Sequence, residues 1–112
     1  MTFWEALDEI VEKHRLVIDR PKASRHPRFS ESIYPLDYGY LEGTRGGDGT
    51  GIDVWRGSAL EITVVAAIIT VDLLKAETEI KILFQCTEEE IETVLRYHNT
   101  YSQSGILVKR ED

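Results

Sequence analysis

The segment YPLDYGYLEGTRGGDGTGIDVW, residues 34–55, constrains the fold of this chain more than any other. Its glycines cluster in TRGGDGTG, between two β-forming runs, Tyr38 to Glu42 and Ile52 to Arg56. Glycine reaches the positive φ values that turns demand, so the two runs are predicted to be strands joined across that loop. A hairpin of this kind can fold Asp48 and Asp53, which flank Gly49 and Gly51, toward a common point. Two converging carboxylates suit a hard cation such as Mg²⁺, which prefers oxygen ligands and commonly joins protein carboxylates to a phosphate. Asp and Gly are also the ordinary residues of turns, and the calcium-loop pattern is absent.

The rest of the chain fits one domain, residues 1–112, with a single modest core. A short amphipathic helix opens it, because Thr2 and Glu5 form a capping box and Phe3, Leu7, Ile10, Val11 and His14 share a helical face. Leu16-Val17-Ile18 reads as a strand. PKASRHPRFSES follows as a polar loop, its two prolines excluding helix and central strand. Leu60 to Val71 is predicted to be one long strand, Asp72 to Thr78 a turn, and Glu79 to Phe84 a strand whose alternation puts Glu79 and Lys81 on one face. Thr87 and Glu90 form a second capping box, opening a helix that ends near Asn99, and Gly105 to Arg110 closes as a strand. No βαβ rhythm runs through this order. It favours a mainly β or α+β fold, an antiparallel sheet closed or nearly closed into a small barrel.

Charge narrows the partners. With 13 basic against 20 acidic residues the net charge is −7, which disfavours nucleic acid. Yet residues 13–28 hold Lys13, Arg15, Arg20, Lys22, Arg25 and Arg28 against Asp19 alone. That strip reads either as a solvated loop or as a site for a small anion such as phosphate. The longest apolar run is too short to cross a membrane and no basic-then-apolar leader opens the chain, so a cytoplasmic location is expected. Cys86, the lone cysteine, excludes an intrachain disulfide. Asp72, Glu77, Glu79 and Lys81 fall within ten residues around one turn. Brought up to the first hairpin, they would set carboxylates for metals beside cations for phosphoryl oxygens, the pairing that phosphoryl hydrolysis needs. The three histidines have no metal-type spacing, and no serine or cysteine sits in a nucleophile motif.

At these same residues the chain resembles the soluble family I inorganic pyrophosphatases. IYPLDYGYLEGT looks like that family's Y-P-x-N-Y-G-Y strand, GDGTGIDVW like its D-G-D-P-x-D-V metal signature, and TVDLLKAETEIKIL like its carboxylate turn ending in acid-x-Lys. VIDRPKASRHPRF is similar, more loosely, to its basic phosphate-binding segment. The resemblance covers roughly residues 16–100 and is most specific at the centre. It implies a five-stranded OB-like antiparallel barrel with an N-terminal and a C-terminal helix, Mg²⁺-dependent hydrolysis of pyrophosphate with Mn²⁺ or another divalent ion as a substitute, and assembly into a homo-oligomer. It also implies metal ligands at Asp48, Asp53, Asp72 and Glu79, and phosphate contacts at Tyr38, Lys81, Lys22 and either Arg25 or Arg28.

Two departures stand out. Thr50 occupies the middle of the signature, where the family has the aspartate that acts on the attacking water; a hydroxyl can orient water but carries no charge near neutral pH. After the second helix the family has a Tyr-Lys pair, where RYHNTY offers Asn99 and Thr100. The expected function is therefore a pyrophosphate hydrolase with Asp53 and Thr50 at the reacting centre. The alternative is a non-catalytic phosphate- or metal-binding module, or an oligomer-forming one, on the same scaffold.

Overall fold

The computed structural model describes residues 1–111 and is a small α+β fold: one mixed six-stranded sheet with two helices. The elements are α1 (Phe3–Lys13), β1 (Leu16–Arg20), β2 (Asp37–Leu41), β3 (Ile52–Arg56), β4 (Val64–Asp72), β5 (Glu77–Phe84), α2 (Glu88–Tyr97) and β6 (Gln103–Lys109). Both capping boxes form, Thr2 with Glu5 and Thr87 with Glu90, each hydroxyl accepting the backbone N–H that the first turn leaves unpaired.

The strands lie in the order β1-β2-β3-β5-β4-β6, so there are six strands where the family resemblance implied five. All pairings are antiparallel except β3 with β5, which run parallel. The sheet is not closed, because β6 occupies the outer edge of β4 over seven registered residues, the edge that a closing β1 would need. The long strand expected from Leu60 begins only at Val64: Leu60 and Ile62 stand in solvent, in the connection from β3.

Alternate residues feed two cores. Trp55, Ala66, Ile68 and Leu83 pack under α2 with Ile91, Val94, Tyr34 and Leu36, while Leu41, Val54, Val64 and Ile82 pack on the opposite face beneath Trp4, Leu7, Ile10 and Val11 of α1. A register shift between Val64 and Ala66 sends these two residues to opposite faces although they are two apart. Being covered on both sides explains why Val64 to Ile68 is apolar throughout rather than alternating. Gly39, between Tyr38 and Tyr40, is required by β1: a Cβ there would lie 1.8 Å from the carbonyl oxygen of Val17.

Candidate functional site

The parallel pairing of β3 with β5 sets Asp53 in register with Lys81, and antiparallel β2 sets Tyr40 beside Asp53 and Tyr38 beside Trp55. These side chains leave the sheet on the α2 face. Lys81 is only 8% exposed, and its Nζ donates to Asp53 Oδ2 and Glu79 Oε2, both at 2.8 Å, and to Tyr38 Oη at 3.0 Å. The Tyr38 ring is held by Trp55 at 4.5 Å and Tyr34 at 5.6 Å between ring centres.

From Lys81 a string of carboxyl groups runs outward. Asp53 is electrostatically coupled to Glu79 and Glu79 to Glu77, and Asp48, Glu77 and Glu79 each offer an oxygen within 4.8 Å of the others. Carboxylates this close repel one another when all are ionised, so the string favours either a proton or a cation. Burial first, and the Glu79 contact second, push Asp53 upward; Glu79, although burial opposes it, is drawn down by its contacts with Asp53 and Lys81. The two titrate as one system. Burial alone would lower the Lys81 ammonium, but the oxygen atoms of Tyr38, Asp53 and Glu79 outweigh it and hold Lys81 charged. Burial also raises the Tyr38 phenol, which stays neutral.

Asp53 and Lys81 border a cavity of about 340 Å³. Tyr38 and Tyr40 line it from β2, Arg20 from the end of β1, His26 and Arg28 from the loop between β1 and β2, Lys75 from the β4–β5 turn, and Tyr97 and His98 from the end of α2. One region is therefore rich in oxygen ligands and another in cations.

Several expected site residues come together here and others stand apart. Asp53, Tyr38, Lys81 and Arg28 line the cavity, and Glu79 and Asp48 belong to the carboxylate string. Thr50 donates to Asp48 Oδ1 through both its N–H (3.0 Å) and its hydroxyl (2.9 Å), so it orients that carboxylate. Gly49 makes the turn, with φ +86°. Asp72 accepts from the backbone N–H groups of Leu74 and Lys75 and from Ser102 Oγ and Gln103 Nε2. What little burial it has pushes upward, but these donors keep its carboxyl below the usual range. Glu77, not Asp72, joins Asp48 and Glu79. Lys22 and Arg25 lie off the cavity: the Lys22 backbone donates to Asp37, and the Arg25 guanidinium to the carbonyl of Ser30 at 2.8 Å. Asn99 is spent on the carbonyls of Leu95 in α2 and Gly105 in β6, and Thr100 on that of Tyr97 at the end of α2.

His26, Lys75, Tyr97 and His98 were missed by sequence reasoning, and Arg20 was named only as part of the cationic strip. RYHNTY held a signal in its other half, since Tyr97 and His98, rather than Asn99 and Thr100, face the cavity. His98 is buried between two partners that fix its tautomer: Trp55 Nε1–H donates to Nε2 at 2.9 Å, so Nδ1 carries the proton and donates to Gln103 Oε1 at 2.8 Å. Burial depresses His98 to about 4. Its unfolded value lies near 6.5, so below that pH the unfolded chain takes up a proton that the folded chain refuses. Stability is then lost as pH falls from about 6.5 to about 4, by on the order of 3 kcal/mol over the window. Urea unfolding at stepped pH should show this slope, and His98→Gln, whose amide oxygen can still accept from Trp55, should flatten it.

No family model matches the chain, and neither does any curated protein. Solved structures do. An inorganic pyrophosphatase from Helicobacter pylori aligns with a TM-score of 0.60 at 14% identity, covering 84% of this chain and 81% of that one. An inorganic phosphatase from Anaplasma phagocytophilum gives 0.60 at 13%, with the same coverage. An inorganic pyrophosphatase from Neisseria gonorrhoeae gives 0.51 at 16%, covering 81% of this chain and 75% of that one. The carboxylate string, the buried lysine and the cationic cavity thus stand on an inorganic-pyrophosphatase-like fold.

Proposed function

We propose that the chain hydrolyses pyrophosphate, or a related small phosphoanhydride, in a reaction dependent on Mg²⁺. The observation that carries this reading is the string Asp53, Glu79, Glu77 and Asp48, which runs outward from one buried lysine paired with its first two members, beside a cation-lined cavity. Four carboxyl groups against one ammonium leave an excess of negative charge that a divalent cation would neutralise. The donor set is all oxygen, which fits Mg²⁺, or Mn²⁺ in its place, with Asp48, Glu77 and Glu79 as the holding residues and Asp53 adjoining them. Such an ion, when bound, would supply water of lowered pKa and neutralise phosphoryl oxygens.

The protein's own groups do the rest. Asp53, its carboxyl raised by burial and by Glu79, accepts the proton of the attacking water. Water oxygen bonds to one phosphorus, the bridging P–O bond breaks, and the bridging oxygen leaves with its electron pair as the second phosphate. The Tyr38 hydroxyl, which accepts from Lys81 and keeps its own proton to donate, holds a phosphoryl oxygen beside the Lys81 charge, and Arg28 with Arg20 and Lys75 draws the anion into an otherwise acidic protein. A phosphate-release assay on pyrophosphate with Mg²⁺, Mn²⁺ or Co²⁺ tests the reading; no release with any of them would sink it. Thr50 favours a second reading, a binding module without turnover, because it places a hydrogen-bond donor to Asp48 where a carboxylate would act on water. Calorimetric binding of pyrophosphate with no phosphate release would select it.

The reading includes self-association and a cytoplasmic site of action, where a free thiol such as Cys86 persists. Ile80, Ile69 and Ile106 form one row across β5, β4 and β6, exposed with Val71 and Val108 on the sheet face that α1 leaves uncovered. An uncharged face on a chain of net charge −7 fits a second copy of itself, which brings apolar surface without opposing charge there. Sedimentation showing only monomer at micromolar concentration would refute it. Among the described residues no helix is long and apolar enough to cross a membrane.

A further inference from the structure

We propose that His26 is a fixed, uncharged N–H donor to the phosphoryl group bound at the cationic part of the cavity, a station formed with Arg20, Arg28 and Lys75. The inference rests on the phosphoanhydride reading and adds to it a residue that no sequence motif suggested. His26 Nδ1 accepts two backbone N–H groups of its own loop, from Arg28 at 3.0 Å and Phe29 at 3.1 Å. A nitrogen that accepts two donors cannot carry a proton, so the neutral ring has its proton on Nε2. The ring is stacked parallel to Tyr34, with 5.8 Å between centres and 4° between planes, and its backbone N–H is tied to the carbonyl of Ser32 at 2.8 Å. Orientation is thus set by the loop before any ligand arrives. The ring borders the cavity, and among the described residues Nε2–H has no protein partner.

The surroundings name the ligand class. Arg20, Arg28 and Lys75 border the same cavity; of its two carboxylates, Asp19 sits 4.0 Å from the Arg20 guanidinium and Asp53 is paired with Lys81. Three cations and a fixed donor fit an oxyanion bearing more than one charge, which a phosphoryl group is and a carboxylate is not. The same geometry excludes an acid role. To give up the Nε2 proton and remain neutral, the ring would have to be protonated on Nδ1, which the two amides occupy. His26 therefore binds and orients the phosphoryl group without exchanging a proton with it.

Two substitutions separate the ring's functions. Asparagine places an acceptor oxygen where Nδ1 stands and lacks the Nε2 donor, so His26→Asn keeps the loop tied and removes the contact; glutamine places an amide near Nε2 and loses the tie. Calorimetry with the non-hydrolysable analogue methylenediphosphonate and Mg²⁺ should show His26→Asn binding about 10- to 100-fold more weakly than the native protein, as loss of one hydrogen bond to a charged group implies. Its thermal midpoint should be unchanged, while His26→Gln retains more of the affinity. Nitrogen-15 spectra of the imidazoles should show the His26 proton on Nε2 and a shift of that nitrogen on adding the analogue. Equal affinity in native protein and His26→Asn, or a proton on Nδ1, overturns the inference. Weakened analogue binding in His26→Asn with no phosphate release from pyrophosphate by the native protein upholds it and refutes hydrolysis instead.

Discussion

Replacing Lys81 by methionine is expected to lower the unfolding free energy by about 3–5 kcal/mol at neutral pH, the usual cost of removing one partner from a buried ion pair. The methylene stem is kept, so the loss is not one of packing. What disappears is the ammonium that Asp53, Glu79 and Tyr38 share, which leaves two neighbouring carboxyl groups without a cation. Their folded-state pKa values then rise above the unfolded ones. The penalty is therefore small in acid, where both are protonated in either state, and grows as pH rises past the ordinary carboxylate range. Chemical denaturation of both proteins at stepped pH measures the widening gap. The same substitution separates metal binding from lysine pairing: millimolar Mg²⁺ should recover more stability in Lys81→Met than it adds to the native protein, because the ion meets uncompensated carboxylates. A variant as stable as the native chain at neutral pH would mean that Lys81 and the carboxylates are solvated enough to be indifferent to one another.

Lys81 also shows where sequence was sufficient. Acid-x-Lys on an alternating strand puts Glu79 and Lys81 on one face whatever the neighbouring strand, because the period of two is local. Bringing Asp53 to them depends on the parallel register of β3 with β5, which is set by the path of β4 and by the two cores; no local pattern encodes it. Asp72, expected among the metal ligands, stands apart from the string for a related reason. The turn amides of Leu74 and Lys75 and the β6 side chains Ser102 and Gln103 satisfy its carboxylate, and β6 is thirty residues away in the chain. Glu77 takes the place beside Asp48 and Glu79 because it lies two residues before Glu79 on β5, on the same face. The cationic part was legible as a strip and not as individuals. Arg20 and Arg28 reach the cavity while Lys22 and Arg25 are turned away by bonds to Asp37 and Ser30 that the loop's own path creates. The open sheet has the same origin: whether β6 adds to β4 or leaves that edge for β1 is a competition between pairings, and a run of residues such as Gly105 to Arg110 reads identically in either case.

Asp53→Asn is expected to reduce phosphate release from pyrophosphate by about 10²- to 10⁴-fold, the range over which a positioned general base contributes. Asparagine preserves shape and can still accept from Lys81, so circular dichroism and the thermal midpoint should change little compared with the rate. The site already disfavours the ionised form of Asp53, and Glu79 still pairs with Lys81, so losing the Asp53 charge costs the fold little. Loss of rate with fold intact would therefore report the missing proton acceptor rather than a damaged scaffold. Thr50→Asp is the informative companion. It replaces the hydroxyl donor to Asp48 with a further carboxylate in a string already short of cations, so the metal-free protein should be destabilised while its dependence on Mg²⁺ steepens. Enhanced release in Thr50→Asp, abolished again by adding Asp53→Asn, would place both residues on one reaction path. If Asp53→Asn releases phosphate at the native rate, Asp53 is not the group that takes the proton of water, and the carboxylate string serves binding alone.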